Sequence, residues 1–177
     1  PPIPAGLAPL YIVPGRGFGT GGHATTRLVL RALTHHIRPG MRVLDVGTGS
    51  GILAIAACLL GAREVFGVDT DADAIENANE NVGRNGMTDR IELAVGSFEQ
   101  ASGNQYPLIC ANIIAHVLGI LFHEGLADLV EPGGTIITAG ILAGEKQELV
   151  EIGAERGLHR VSESSEGEWN SIIFKKE

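Results

Sequence analysis

A series of alternating glycines, preceded by an acidic residue, is the part of this sequence best suited to hold a ligand. Asp45, Gly47, Gly49 and Gly51 stand at the end of an apolar segment. Glycines let a backbone approach a ligand closely, and the start of a following helix presents free N–H groups. A dinucleotide-binding fingerprint would need its third glycine where this chain has Ile52. The spacing therefore favours an adenosine-type ligand that is not a dinucleotide.

A second acidic residue, Asp69, ends the apolar segment Val65–Val68. A carboxylate at this position can accept charge-assisted hydrogen bonds from both hydroxyls of a ribose. The alternative is that Asp69 caps the helix beginning near Ala72, a role that Asp71 could also fill. Together with the glycine loop, the position of Asp69 favours ligand binding.

A polar amide, Asn112, stands near the end of the apolar segment Leu108–Ile113. An amide in such a place is costly unless its polar groups are paired. One interpretation is that Asn112 caps the next helix. The other is that its carbonyl accepts a hydrogen bond from an incoming amine and orients that amine for an in-line displacement. The sequence indicates no clear general base.

The glycine-rich segment 15–26 leads into the first predicted helix and could fold over a ligand or serve as a flexible lead-in. Thr25 and Thr26 could each cap the helix or face the ligand. His23 could act as a base, although a single histidine beside a helix start is more often structural.

Composition limits the classes of partner. The chain has 177 residues, enough for one domain with a buried core, and a net charge of −8 without a long run of basic residues. Direct nucleic-acid binding is therefore not expected, whereas a basic protein or an amine substrate would suit the charge.

Cysteine usage and hydropathy bear on location. Cys58 and Cys110 both lie in apolar segments, which predicts buried thiols, no disulfide and a reducing compartment such as the cytoplasm. No cluster of histidine and cysteine predicts a metal site. No apolar run is long enough to cross a membrane, and no secretory signal is recognisable.

The elements that would position these residues alternate between strand and helix. Five β–α units and a closing hairpin predict a doubly wound, mainly parallel α/β sheet of seven strands with helices on both faces. The predicted strands are Val43–Val46, Val65–Val68, Ile91–Val95, Leu108–Ile113, Thr135–Ala139, Leu158–Val161 and Ser171–Phe174. The predicted helices are Thr25–His36, Ile52–Leu60, Ala72–Arg84, one ending near Val130, and Glu145–Arg156. Leu10–Val13 is predicted to form a short edge strand.

Three segments together resemble the ribosomal protein L11 methyltransferases (PrmA), which are class I S-adenosylmethionine (SAM) methyltransferases. They are Phe18–Thr26, the glycine loop with its continuation to Ala57, and Asn112–Ala115; the tail Glu168–Lys176 is also similar. The resemblance implies SAM as cofactor, S-adenosylhomocysteine as product, and methyl transfer to protein amines, both lysine side chains and an α-amino group. It also implies a large-subunit ribosomal protein as partner.

The resemblance further implies a set of site residues. Asn112 would orient the amine, and Asp45 would support the ammonium of the cofactor directly or through water. Gly47, Gly49 and Gly51 would shape the methionine end of the pocket. The family's cofactor contacts correspond to Thr26, Gly47, Asp69 and Asn112, with Phe18 and Gly19 in a loop closing over SAM.

Departures from the family pattern concern the substrate more than the chemistry. The chain has Gly22 and Ala24 where the family usually has threonine and proline, and Ser97 where many SAM enzymes have an acid for adenine. We expect residues 1–22 to be an irregular lead-in and closing loop, residues 23–177 to be the methyltransferase domain, and the family's N-terminal docking domain to be absent. A small-molecule methyltransferase and a noncatalytic SAM-binding scaffold are the alternatives.

Overall fold

A computed structural model describes residues 8–13, 15 and 21–177, and it contains one seven-stranded sheet flanked by five α-helices. The strands are β1 (Arg42–Val46), β2 (Glu64–Asp69), β3 (Ile91–Val95), β4 (Tyr106–Asn112), β5 (Val130–Leu142), β6 (Leu158–Glu166) and β7 (Trp169–Lys176). The helices are α1 (Ala24–His36), α2 (Ile52–Leu59), α3 (Ala72–Arg84), α4 (Ala115–Glu124) and α5 (Lys146–Glu155).

The strand order is β3-β2-β1-β4-β5-β7-β6. The first five strands in this order run parallel, and β7 pairs antiparallel with both β5 and β6. The chain proceeds outward from β1 to β3 and then returns to place β4 on the other side of β1. Ligands of open α/β sheets bind beyond the carboxyl ends of the strands at such a reversal. The predicted doubly wound sheet with its terminal hairpin is confirmed.

Alternating side chains of the central strands pack into two apolar layers. Val43 and Leu108 face the layer formed with α1, α2 and α3. Leu44 and Ile109 face the opposite layer, formed with α4 and α5. Since successive residues of a strand point to opposite faces, both sides of the sheet are covered, as the continuous apolar runs predict.

Several predicted boundaries in the C-terminal half are wrong; β5, for example, begins at Val130 and not at Thr135. The helix predicted to reach Val130 ends at Glu124, because Gly125 takes a left-handed φ of 115° and caps it. The polar residues Ser162–Glu166, predicted to connect two strands, instead continue β6. They tolerate this position because β6 is an edge strand whose residues are nearly all exposed.

The predicted edge strand Leu10–Val13 is also wrong. In place of a strand partner, the backbone N–H groups of Tyr11 and Val13 donate to the side-chain oxygens of Asn85 and Asn81, at 3.0 and 2.9 Å. The segment therefore lies against the end of α3 and not on the sheet.

The cysteines, the hydropathy of the helices and the possible metal ligands complete the description of the fold. Cys58 and Cys110 are buried and unpaired, as predicted. Among the described residues, no helix is long and apolar enough to cross a membrane. The same part of the chain contains no group of three histidine, cysteine or acidic side chains arranged to hold a metal ion.

Candidate active site

A cavity of about 620 Å³ opens at the carboxyl ends of the central strands, at the point between β1 and β4 where the strand order reverses. Its volume is within the range of small-molecule sites. Five of the residues singled out from the sequence line it together: Thr26, Gly47, Gly49, Asp69 and Asn112. The parallel arrangement brings four of them together, because the segments that follow β1, β2 and β4 leave the sheet at the same end, whereas Thr26 comes from the start of α1.

The glycine loop requires its glycines for conformation and for space. Gly47, Gly49 and Gly51 have φ values of 71°, 54° and 79°, in the left-handed region that other residues rarely adopt. A Cβ on Gly47 would lie 2.9 Å from Cγ1 of Ile113. The backbone N–H of Gly47 donates to the Val68 carbonyl at 2.9 Å, which fixes the loop against β2.

Asp69 is held by two backbone groups on the cavity wall. Its Oδ2 accepts from the Gly49 N–H at 2.9 Å, and its Oδ1 accepts from the Asp71 N–H at 3.0 Å. The cap of α3 is Asp71, which accepts from the Asp73 N–H, so the capping interpretation of Asp69 is wrong. Each oxygen of an ionised carboxylate accepts about two hydrogen bonds. Asp69 is therefore rigid and retains capacity for two ligand hydroxyls.

Asn112 ends β4 opposite Ala139 of β5 and is half-buried at the cavity. The N-cap of α4 is Ile114, and the helix has no capping hydrogen bond from a side chain at that position. The interpretation of Asn112 as a helix cap is therefore wrong. Its amide lies at the end of the strand next to β1, where it can meet a group entering the cavity.

The start of α1 forms another part of the wall. His23, and neither Thr25 nor Thr26, is the N-cap, and its Nδ1 accepts from the Thr25 N–H at 3.3 Å. Thr26 is 1% exposed, and its hydroxyl has no hydrogen-bond partner among the described residues. A buried hydroxyl without a partner on a cavity wall is costly unless a ligand satisfies it, so Thr26 fits a ligand contact.

Two predicted site residues do not line the cavity. Asp45 is 1% exposed, and its Oδ2 accepts from the Thr48 hydroxyl at 2.7 Å. Thr48 lies on the cavity wall and Asp45 does not, so support of a cofactor ammonium by Asp45 stays a prediction. Gly51 is the N-cap of α2, where an added Cβ would lie 3.3 Å from that of Ala78. Gly51 therefore affects the shape of the glycine loop without lining the cavity. Phe18 and Gly19 lie outside the described residues.

Burial raises the pKa of Asp45 from 3.8 to about 6; the hydrogen bond from Thr48 lowers it in part, and the negative charge of Asp69 raises it further. Since the folded-state pKa is the higher one, the stabilisation from the protonated form is complete below the unfolded pKa and is lost as pH rises through about 6. The difference corresponds to about 3 kcal/mol.

We expect Asp45→Asn, which keeps an acceptor for Thr48, to remove most of this pH dependence. Between about pH 4 and about pH 7, the free energy of unfolding of the original chain should fall by about 3 kcal/mol more than that of the variant. Urea titrations at several pH values measure this. Parallel pH profiles for the two proteins would show that the buried carboxyl titrates normally.

Trp169, which is not among the site residues predicted from the sequence, also lines the cavity. Trp169 begins β7, and because β7 runs antiparallel to β5, its first residue lies at the carboxyl end of the parallel strands. Its ring packs edge-on against His23, with centroids 5.3 Å apart. The signal in the sequence is the hairpin: if its second strand runs antiparallel to β5, Trp169 lies at the cavity end of the sheet.

Comparisons with known proteins agree with this geometry. A family model described as "Ribosomal protein L11 methyltransferase (PrmA)" matches residues 8–177. A ribosomal protein L11 methyltransferase of Symbiobacterium thermophilum is 42% identical over 97% of this chain and 55% of its own length. One from Chloroflexus aurantiacus is 40% identical over 94% of this chain and 58% of its own length.

Solved structures are also similar to this chain. A ribosomal protein L11 methylase from Lactobacillus delbrueckii superposes with a TM-score of 0.85 at 29% identity, covering 97% of this chain and 91% of that one. A methyltransferase from Pyrococcus furiosus shares the fold, with a TM-score of 0.74 at 22% identity, covering 91% and 85%. The chain spans about half the length of the curated relatives it matches. On the family match and these identities, the chain belongs to the ribosomal protein L11 methyltransferase (PrmA) family.

Proposed function

We propose that this domain transfers methyl groups from SAM to amines of a protein. One observation carries the proposal: a single cavity brings together the glycine loop, the fixed carboxylate of Asp69 and the amide of Asn112. The first two suit an adenosine-type cofactor, and the third suits an amine acceptor. SAM supplies an electrophilic methyl group when bound and leaves as S-adenosylhomocysteine.

The cofactor half of the cavity offers polar groups that suit parts of SAM. Asp69 would accept from the ribose hydroxyls, and the Thr26 hydroxyl would gain the partner that it lacks among the described residues. Gly47 and Gly49 would leave room for the methionine end. Ser97 lines the cavity beyond β3 and offers no carboxylate, so we expect backbone groups and apolar packing to hold adenine.

Asp45 would act on the cofactor through Thr48 or a water molecule. Its carboxylate holds the Thr48 hydroxyl at 2.7 Å, and Thr48 lies on the cavity wall. A cation in the cavity would favour the ionised form of Asp45, since nearby opposite charge lowers the pKa of a carboxyl group. Asp45 is therefore a positioning residue in this proposal.

On the acceptor side, Asn112 would accept a hydrogen bond from the amine N–H and direct the nitrogen lone pair toward the methyl group. Orientation of this kind supplies much of the rate enhancement of a displacement reaction. The amine must be neutral to react, so it loses its proton to water or a nearby group before transfer.

The acceptor we favour is a lysine side chain or an α-amino group of ribosomal protein L11, a large-subunit protein. The names of the relatives support this choice, and the net charge of −8 suits a basic protein. Direct nucleic-acid binding is not part of the proposal, because no long basic run is present. A ribosomal substrate would place the protein in the cytoplasm.

An acceptor panel tests this function. The chain is incubated with methyl-labelled SAM and with purified ribosomal protein L11, a set of small amine metabolites, or no acceptor. Label in the ribosomal protein is the expected result. Label only in a metabolite would favour the small-molecule alternative. SAM binding without transfer to any acceptor would favour the noncatalytic scaffold.

A further inference from the structure

The helix α3 carries asparagines at a regular spacing that the proposed reaction does not use. Asn77, Asn81 and Asn85 are four residues apart and so share one face of the helix and its C-cap. Asparagine is a poor helix former, and a buried amide is costly without partners. Asn81 is nevertheless fully buried and Asn77 is 9% exposed. We call these three residues the asparagine ladder.

The partners of the ladder lie in the segment before α1, which we call the entry strap (residues 8–13 and Gly15). Asn85 pairs with both backbone groups of Tyr11: its Oδ1 accepts from the N–H at 3.0 Å, and its Nδ2 donates to the carbonyl at 2.7 Å. Asn81 accepts from the Val13 N–H at 2.9 Å and donates to the Val13 carbonyl at 3.4 Å. Each amide thus pairs as a neighbouring strand would.

The spacing of the two segments explains the match. Four residues of helix advance by about 6 Å, and two residues of extended chain advance by about 6.6 Å. Each step of two along the strap, from Tyr11 to Val13 to Gly15, therefore accompanies a step of four back along α3. At the last step, a Cβ on Gly15 would collide with the side chain of Asn77. Only glycine fits that position without displacing the ladder.

One member of the ladder also reaches the glycine loop. The Nδ2 of Asn81 donates to the carbonyl of Ser50 at 3.0 Å, in addition to its bond to Val13. Directly beside this contact, Gly51 packs against Ala78 of the same helix, where an added Cβ would have its nearest neighbour at 3.3 Å. A single buried amide is therefore bonded to the strap and to the loop that shapes the cavity.

We propose that the asparagine ladder is a docking track for the entry strap and that Asn81 is a positioning residue linking the docked strap to the glycine loop. The link to cofactor affinity rests on the proposed SAM site. Loss of the Asn81 amide removes its bond to the Ser50 carbonyl and its two bonds to Val13 together, so the loop loses a restraint. Asn85 and Asn77 keep their bonds to Tyr11 and to the Val13 carbonyl. Cofactor binding must then order the loop again, which weakens apparent affinity.

Hydrogen exchange measured by NMR on the chain without cofactor tests the docking alone. We expect the amides of Tyr11 and Val13 to be protected. Asn85→Ala should expose Tyr11, whereas Asn81→Ala should expose Val13 and also accelerate exchange at Gly51. Asn79→Ala is the matched control, because within the described part of the chain the Asn79 side chain donates to the Ile75 carbonyl of its own helix and not to the strap. Rapid exchange at Val13 in the original chain would overturn the docking track.

Calorimetry with S-adenosylhomocysteine tests the link. Asn81→Ala should raise the dissociation constant about tenfold, as expected for the loss of one to two hydrogen bonds. Gly15→Ala should also raise it, and this variant changes the strap while leaving the sequence of α3 unchanged. Gly83→Ala is its control, because nothing lies near an added Cβ there. In turnover assays, the KM for SAM should rise with kcat little changed, a split that a partly unfolded variant would not produce.

The outcomes separate this inference from the proposed function. If Asn81→Ala exposes Val13 but binds S-adenosylhomocysteine as tightly as the original chain, the link is wrong. If Gly15→Ala releases the strap without affecting affinity, the link is also wrong. If the original chain does not bind S-adenosylhomocysteine at all, the proposed function fails, and the exchange pattern still decides whether the ladder docks the strap.

Discussion

Asp69→Ala is expected to raise the dissociation constant for SAM by at least about a hundredfold. The variant removes the acceptors for both ribose hydroxyls, and hydrogen bonds to a charged group contribute about 1.5–3 kcal/mol each. It also releases the N–H groups of Gly49 and Asp71, which the carboxylate now holds. Asp69→Asn keeps one side-chain oxygen, so its dissociation constant for SAM should lie between those of the original chain and of Asp69→Ala. Isothermal titration calorimetry provides the measurement.

Asp89→Ala is the control for this experiment, because Asp89 is exposed on the loop before β3 and does not line the cavity. It should bind SAM as the original chain does. Thermal unfolding of each variant separates a lost contact from a lost fold. Unchanged SAM affinity in a folded Asp69→Ala protein would remove Asp69 from the ribose site.

Asn112→Ala is expected to lower kcat by about a hundredfold, the scale of loss that follows from a misplaced reacting group. The KM for SAM should change much less, because Asp69 and the glycine loop still hold the cofactor. The variant also leaves α4 intact, since Asn112 does not cap it. Initial rates at saturating and limiting SAM measure the two parameters.

Asn104→Ala serves as the comparison, because Asn104 is exposed in the turn before β4 and lies outside the cavity. Its kcat and KM should match those of the original chain. A folded Asn112→Ala protein with full turnover would mean that another group orients the amine.

The fold was predictable because its strands are buried on both faces and read as short apolar runs. The bounds of α3 (Ala72–Arg84) and β3 (Ile91–Val95) are those predicted from the sequence. The pattern of apolar residues does not reveal the bounds of a strand at the edge of a sheet. Accordingly, β6 was predicted too short, since solvent-exposed strand residues need not be apolar.

The residues of the site were predictable where they follow parallel strands. Asp69 and Asn112 end β2 and β4, and strand direction alone brings them to one cavity. The orientation of Asp45 was missed, although it shares a face with Val43, which packs in the layer of α1, α2 and α3. Trp169 was missed because its position depends on an antiparallel strand pairing.

Side-chain contacts between residues far apart along the chain could not be predicted from the sequence. Asn81 and Val13 are far apart along the chain, and an asparagine in a helix has no periodic signature that names its partner. The asparagine ladder therefore emerges only when α3 and the entry strap are placed side by side. Its spacing of four residues is the one feature that the sequence itself displays.

The location of the transferred methyl group tests the proposed function most directly. Ribosomal protein L11 is incubated with this chain and with SAM carrying a deuterated methyl group, and the product is sequenced by tandem mass spectrometry. We predict labelled methyl groups on lysine side-chain nitrogens or on the α-amino group, and about a hundredfold less label with Asn112→Ala over the same interval. Label on oxygen, sulfur or carbon atoms of the acceptor, or no label despite measured SAM binding, would contradict protein amine methylation.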